Sequence, residues 1–242
     1  MVRPCGVKEL EASAREEHKG VDARLAGLCR LSPYADREWC REFIEHRCIF
    51  RSPPDQPLLI NEATGQAVWQ FYLPVATLDP EFRRRVGVLF WDRFYAEFKL
   101  RPFALAACES GGIPLACALQ AAAYRRGILC PMFAVKKKAK SYGLLNWLEG
   151  VVDPNTPVIV VDDVIGEGKT IARQAERLRS FGIEVSGVFA IASCKREVPF
   201  NFKLGDRDVP TTALFGPDAF TRTHALYVRK YGRPPQFEGV MR

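Results

Sequence analysis

Histidine is scarce in this chain, and His18, His46 and His224 show no spacing that suggests a metal site or a catalytic triad. The eight cysteines, Cys5, Cys29, Cys40, Cys48, Cys108, Cys117, Cys130 and Cys194, contain no CxxC pair and no dense cluster. That spread speaks against a disulfide framework and reads as free thiols in a reducing cytoplasm. No apolar run approaches the roughly 18 residues needed to span a bilayer, and the first twenty residues are too charged for a signal peptide. No internal repeat or low-complexity stretch occurs. The expectation is a soluble cytoplasmic protein with no membrane partner.

What is present is enough apolar residue for one substantial core and an appended subdomain: 48% of 242 residues are hydrophobic. The net charge of +7 and pI near 9.0 suit nucleic acid or a polyanionic small molecule equally, because both need clustered Lys and Arg. Four divisions are expected: an N-terminal extension over residues 1–30, helices and a small hood over 31–100, an α/β core over 101–200 and a C-terminal extension over 201–242.

Residues 1–30 are charge-rich with weak helical periodicity and read as a surface helix or frayed extension. The run DREWCREFIEHR from Asp36 sets Trp39, Phe43, Ile44 and Arg47 on one stripe, which predicts an amphipathic helix. Two extended runs follow, around residues 57–60 and 67–73, joined by a turn containing Gly65, and together they would make a small hood or lid. Asp79 before Pro80 is a helix start, with Phe82, Val86, Leu89, Phe90 and Phe94 at helical spacing. Arg83, Arg84 and Arg85 read as a solvated face of that helix rather than a nucleic-acid stripe.

From Pro102 short apolar runs alternate with helical segments: FALAAC, IPLACALQAAAYRRG, ILCPMFAV, PVIVV, KTIARQAERLRSFG and VSGVFAIAS. Such alternation predicts an α/β fold, a mostly parallel sheet with helices on both faces and ligands beyond the carboxyl ends of its strands. The loops after Cys108, Val135 and Val161 are therefore the candidate site.

The strongest signal is VIVVDDVIGEGKT, residues 158–170, where a β-branched strand meets adjacent Asp162 and Asp163 and then a glycine turn that opens a helix. Successive backbone N–H groups at such a turn form a nest for phosphate. Two adjacent carboxylates are costly without partners, and the vicinal hydroxyls of a ribose or a hydrated metal ion would supply them. Phosphate and ribose on one loop describe a ribose 5-phosphate site. The segment DVIGEGKT is also one residue short of the nucleoside triphosphatase phosphate loop, with Asp163 where that loop has its first glycine. An ordinary surface strand-turn-helix with an acidic cap is the third reading.

The pattern resembles the type I phosphoribosyltransferases, in which a hydrophobic strand leads into two acidic residues, two aliphatics and a short Thr/Ser and Gly loop. Asp162, Asp163, Gly168 and Thr170 match it; Gly166 and Glu167 stand where hydroxyl residues are usual. Glu109, Ser110, Gly111 and Gly112 in ACESGGIPLA resemble the pyrophosphate loop of the orotate branch, and paired glycines let backbone amides approach an anion closely. The run AVKKKAKSYG resembles that branch's catalytic loop: Lys136 and Lys137 fall on the basic pair, Lys140 on the catalytic lysine and Tyr142 on the usual His. The three matches occur in the family's order and cover residues 104–192.

The resemblance implies transfer of ribose 5-phosphate from 5-phosphoribosyl-1-diphosphate to a nitrogenous base, orotate or a related nucleobase, with release of pyrophosphate. Asp162, Asp163, Lys140 and Tyr142 would be catalytic. Asp162, Asp163, Gly166, Glu167, Gly168, Lys169 and Thr170 would hold the ribose and its 5-phosphate. Glu109, Ser110, Gly111, Gly112, Lys136, Lys137 and Lys140 would hold pyrophosphate. Mg²⁺ would sit on Asp162 and Asp163 through water. Arg51 and Arg196 fall on the base side; the Asp-Arg pair common in orotate enzymes aligns to Ser193 and Cys194, with Lys195 and Arg196 beyond. Cys108 reads as a buried structural thiol. A homodimer in pyrimidine biosynthesis is implied and nucleic acid is not. Two rivals remain open: a sensor that keeps the phosphoribosyl diphosphate pocket without catalysis, and an NTP-driven enzyme using the GEGKT turn.

Overall fold

The computed structural model describes residues 33–51, 58–61, 65–67, 69–100, 102–137, 147–194 and 200–220. Helix α1, Pro33–Arg47, forms where the Trp39, Phe43 and Ile44 stripe predicts it, and all three side chains are buried. Its aromatic face stacks Trp39 on Phe43 with ring centroids 5.2 Å apart and meets Phe82 of the long helix. A short helix, α2 (Pro74–Thr77), precedes that long helix, α3 (Pro80–Leu100). Asp79 starts α3 as expected, its Oδ1 accepting the Phe82 N–H at 2.8 Å and so satisfying one orphan donor of the first turn.

The arginine run on α3 departs from expectation. Arg85 is only 2% exposed; it donates to Asp36 Oδ1 at 2.6 Å, pairs with Glu81 and lies 4.7 Å from the Trp39 ring centroid. A guanidinium can be buried when carboxylates and an aromatic face satisfy it, and here those groups come from α1 and from one turn earlier on α3. Arg85 therefore ties α1 to α3 rather than facing solvent.

The hood region contains two small antiparallel ladders. Strand β1 (Ile49–Arg51) pairs with β4 (Trp69–Phe71), and β2 (Leu58–Asn61) pairs with β3 (Gly65–Ala67). The second extended run is thus split between two partners, and Gly65 opens β3 rather than lying in the connecting turn.

The main sheet has seven strands in the order β10-β11-β9-β8-β5-β6-β7. They are β5 (Ala104–Cys108), β6 (Met132–Val135), β7 (Leu148–Glu149), β8 (Val158–Ile165), β9 (Val185–Ser193), β10 (Phe200–Leu204) and β11 (Arg207–Phe215). Five of them run parallel; β7 and β10 are antiparallel edge strands. The β10–β11 hairpin extends the sheet well into the stretch expected as a C-terminal extension.

Helix α4 (Gly112–Tyr124) follows β5, and α5 (Lys169–Ser180) follows β8. One apolar cluster packs α1, α3 and α4 on Leu105, Ala107, Ile159, Val161, Phe189 and Ile191. A second packs Ile171 and Leu178 of α5 on Ala104, Ala106, Val158, Val160 and Val188. Alternate strand residues thus face opposite helical layers, the expected three-layer arrangement. The chain leaves β5 toward β6 but leaves β8 toward β9, so the strand order reverses between β5 and β8. Open α/β sheets bind ligands beyond the carboxyl ends of their strands at such a switch point. Among the described residues, no helix is long and apolar enough to cross a membrane.

Candidate active site

At the switch point the loop after β5 and the end of β8 lie side by side. Strand β8 runs through the acidic pair: Asp162 and Val164 remain in register with Ala190 and Ala192 of β9. Asp162 Oδ1 accepts the Asp163 N–H at 3.0 Å, and Asp163 Oδ1 accepts the Val164 N–H at 2.9 Å. Burial pushes both carboxyls above the ordinary aspartate range, Asp162 well above it, and the neighbouring Asp163 charge raises Asp162 further. Lys137 opposes the rise at both. The pair is thus held in a place that disfavours its charge until something supplies donors.

The two glycines of the β5–α4 loop serve this juxtaposition directly. A Cβ on Gly111 would stand 2.5 Å from Asp163 Oδ2, and one on Gly112 would collide with the Val161 carbonyl oxygen of β8. Glycine lets the loop lie against the acidic strand end, in addition to any approach of an anion to its amides. The Glu109–Ser110 peptide in this loop is cis. Cys108 is fully buried, and burial followed by the two aspartates raises its thiol pKa well above the usual range, which fits the expected structural role. Burial likewise pushes Cys48, Cys130 and Cys194 up to about 12.

Residues 166–168 form a tight bend into α5. Gly168 is left-handed at φ 78° and is the N-cap residue, with no side-chain cap on the helix. The first amides of α5 are therefore without the side-chain oxygen that often occupies this position, and the helix dipole adds positive potential there. Phe202 of β10 seals the back of the turn: a Cβ on Gly168 would stand 2.5 Å from its Cζ. Glu167, the residue that departs from the family pattern, pairs with Lys169 at 2.5 Å. Thr170 is exposed at the same helix end.

The basic pair after β6 divides. Lys136 is 5% exposed and its ammonium pairs with Glu149 of β7. Lys137 is exposed, its N–H donates to Glu109 Oε2 at 3.0 Å, and its charge acts on Asp162 and Asp163. Lys137 thus joins the acidic pair and the glycine loop, whereas Lys136 is engaged elsewhere. Sequence reasoning missed the residues that hold this stem, Gln174 and Arg177 of α5. The signal was a glutamine on the apolar stripe formed by Ile171, Ala175 and Leu178, where it is 2% exposed.

Lys140, Tyr142, Lys195 and Arg196 lie outside the described residues, as does the side chain of Arg51, whose backbone closes β1. Ser193 and Cys194, at the end of β9, are buried and bring no charge to that strand end. Among the described residues no group of three or more His, Cys, Asp or Glu could hold a metal ion.

A parallel sheet with an acidic strand end, a glycine loop beside it and an uncapped helix N-terminus is the architecture of a type I phosphoribosyltransferase. The phosphoribosyltransferase of Corynebacterium diphtheriae shares the fold, with a TM-score of 0.58 at 18% identity over 76% of this chain and 98% of that one. The orotate phosphoribosyltransferase of Mycobacterium tuberculosis in complex with 5-phospho-alpha-D-ribosyl 1-diphosphate overlays with a TM-score of 0.54 at 17% identity over 76% of this chain and 90% of that one. No protein-family model matches the chain. The orotate phosphoribosyltransferase of Aquifex aeolicus is 26% identical over 180 residues, 74% of this chain and 94% of that protein. That of Halobacterium salinarum is 33% identical over 136 residues, 56% of this chain and 71% of that protein. That of Sorangium cellulosum is 37% identical over 90 residues, 36% of this chain and 47% of that protein. The chain belongs to the orotate phosphoribosyltransferase family.

Proposed function

We propose that this chain is a pentosyltransferase that moves the 5-phosphoribosyl group of phosphoribosyl diphosphate to a ring nitrogen of orotate or a related nucleobase, releasing pyrophosphate. The observation that carries this reading is the Asp162–Asp163 pair, Asp162 buried and Asp163 half-buried, against Gly111 at the switch point of the sheet. Two carboxylates disfavoured by burial gain most from a ligand that brings two adjacent donors, as the 2- and 3-hydroxyls of a ribose do. With the ribose held there, the uncapped start of α5 lies at the end of the same strand and turn, where amides suit the 5-phosphate. The Glu109–Gly112 loop and Lys137 take the diphosphate on the other side.

In the reaction the base nitrogen forms a bond to C1, the C1–O bond to pyrophosphate breaks, and its electron pair leaves with the pyrophosphate. Positive charge develops on the sugar, as in glycoside cleavage, so positioning and charge stabilisation are the protein's main tasks. Asp162 and Asp163 orient the ribose and stabilise that charge. Lys137 and, by resemblance, Lys140 and Tyr142 act on the leaving group, while Lys136 stays on Glu149; Arg51 and Arg196 lie toward the base. Adjacent carboxylates suit Mg²⁺ held through water and substrate oxygens, which would neutralise the diphosphate. A cytoplasmic homodimer completes the proposal.

The test is a nucleobase panel with phosphoribosyl diphosphate and Mg²⁺, read by pyrophosphate release. Release with one base, and loss of phosphoribosyl diphosphate binding in folded Asp162→Asn/Asp163→Asn, are expected. Binding without release from any base would favour the sensor; binding of ATP instead would favour the NTP-driven reading.

A further inference from the structure

The peptide group that joins Lys136 to Lys137 is gripped at one end by side chains of helix α5 and at the other by a side chain of the β5–α4 loop. Its carbonyl oxygen accepts from Arg177 Nη1 at 2.6 Å and from the buried Gln174 Nε2 at 3.4 Å, both on α5. Its N–H donates to Glu109 Oε2 at 3.0 Å, from the β5–α4 loop. The preceding N–H, that of Lys136, donates to the Trp147 carbonyl at 2.9 Å. The Arg177 guanidinium lies 3.4 Å from the Trp147 ring centroid and also donates to Gln174 Oε1 at 3.3 Å. One arginine therefore holds both ends of the stem from which residues 138–146 depart, and it stands on the helix whose first turn opens the phosphate loop.

Resting on the transferase reading above, we propose that Arg177 and Gln174 are positioning residues for the transfer reaction: they fix the Lys136–Lys137 peptide, and through it the Lys137 ammonium, while Glu109 fixes the same peptide from the pyrophosphate side. Two nitrogen donors on one carbonyl and a carboxylate on the next N–H leave this peptide no rotational freedom, so the Lys137 side chain departs from a set point. The charge-assisted bonds at each end are the stronger kind of hydrogen bond. Arg177 is suited to the task because its planar fork can stack on an indole while donating in its own plane, which lysine cannot do. Lys136, buried on Glu149, anchors the stem.

A double-mutant cycle separates this role from a merely structural one. Binding of magnesium pyrophosphate is measured by calorimetry for the wild type, R177M, K137A and R177M/K137A. R177M is expected to weaken binding about tenfold in the wild-type background and by less than about twofold in the K137A background, because Arg177 acts through Lys137. R177K keeps a donor and the charge and guards against simple failure to fold; its expected loss is about threefold, again only where Lys137 is present. Equal losses in both backgrounds, or none in either, overturn the positioning role while leaving the transferase reading intact. Wild-type protein that binds neither magnesium pyrophosphate nor phosphoribosyl diphosphate overturns the transferase reading, and the role with it.

Discussion

Replacing Gly111 by alanine tests the link between the glycine loop and the acidic strand end with a single methyl group. Gly111 has φ −67° and ψ −33°, a conformation alanine adopts freely, so the change brings no backbone strain. What it brings is a Cβ 2.5 Å from Asp163 Oδ2, where ordinary contact requires about 3.4 Å or more. The carboxylate must retreat by about 1 Å, and doing so loosens the 2.9 Å bond from the Val164 N–H. A misplacement of that size costs on the order of 10²-fold in a reaction that depends on orientation. The stability cost is small: about 1 kcal/mol for the weakened bond, opposed by about 0.4–1 kcal/mol from a stiffer unfolded chain. Gly112→Ala is the contrast. Its Cβ meets the backbone of Val161 in the central strand, which cannot move aside without breaking the ladder to β5, and a loss of about 3 kcal/mol or more is expected. Phosphoribosyl diphosphate titration, pyrophosphate release and thermal melts of the two variants should separate activity from fold. Gly111→Ala with catalytic efficiency within about threefold of wild type would refute the reasoning, since Asp163 would then tolerate displacement. So would a Gly111→Ala protein as unstable as Gly112→Ala.

Asp162→Asn should melt higher than wild type at neutral pH, by about 3–6 °C for a gain of 1–2 kcal/mol, yet lose phosphoribosyl diphosphate binding. The folded state raises the Asp162 pKa, so the wild type's disadvantage appears as pH rises from the ordinary aspartate value of about 3.9 through the raised folded value, and melts below that window should converge. Glu167→Thr removes a carboxylate from the phosphate turn and frees Lys169; it should tighten phosphoribosyl diphosphate binding by about tenfold or less at matched Mg²⁺ and ionic strength, because the pair is partly exposed. Weaker binding would assign Glu167 a useful role. Lys140→Ala, if Lys140 acts on the leaving pyrophosphate, should lower turnover about 10²-fold with little change in substrate affinity; an effect confined to KM would make it an anion-steering lysine.

The elements legible in the sequence are those whose signal is apolar and local. Residues 185–193 announce β9 through a buried run, and the Phe82 to Phe94 spacing announces α3, because burial against two or one neighbouring layers dictates those patterns. The end of β8 was hidden: Asp162 and Asp163 look like a loop, yet they continue the strand because their backbones still pair with β9. In ILCPMFAV only Met132–Val135 is strand; Pro131 lacks the N–H needed to extend the ladder. The β10–β11 hairpin, turning at Gly205, needed a partner edge on β9 that no local pattern reveals. Arg85 and Arg177 share one cause: an arginine run or a helix-face arginine reads as solvated until the carboxylates, carbonyls and aromatic rings that desolvate it are located in space. The acidic pair, both glycines and the basic stem were all visible; that the glycines serve Asp163 and Val161, and that Lys136 and Lys137 part company, required the fold.

The three loops are bound to one another as well as to the sheet, and this explains why each carries an unusual residue. Gly111 lies under Asp163, Glu109 holds Lys137, and Arg177 holds Lys136. The first two contacts each join two of the three loops, and the third ties the basic stem to helix α5, which follows the acidic loop. The arrangement keeps Asp162 and Asp163 where burial opposes their ionisation, with Lys137 as a counter-charge. A ligand bringing hydroxyl donors to the carboxylates and anionic groups to Lys137 and the start of α5 relieves every one of these unfavourable terms together. A ligand meeting only one of them relieves little, because the others stay unsatisfied. On the proposed assignment of these loops to ribose, 5-phosphate and diphosphate, selectivity for a sugar carrying phosphate at one end and diphosphate at the other would follow from their linkage, before any residue that recognises the base is considered.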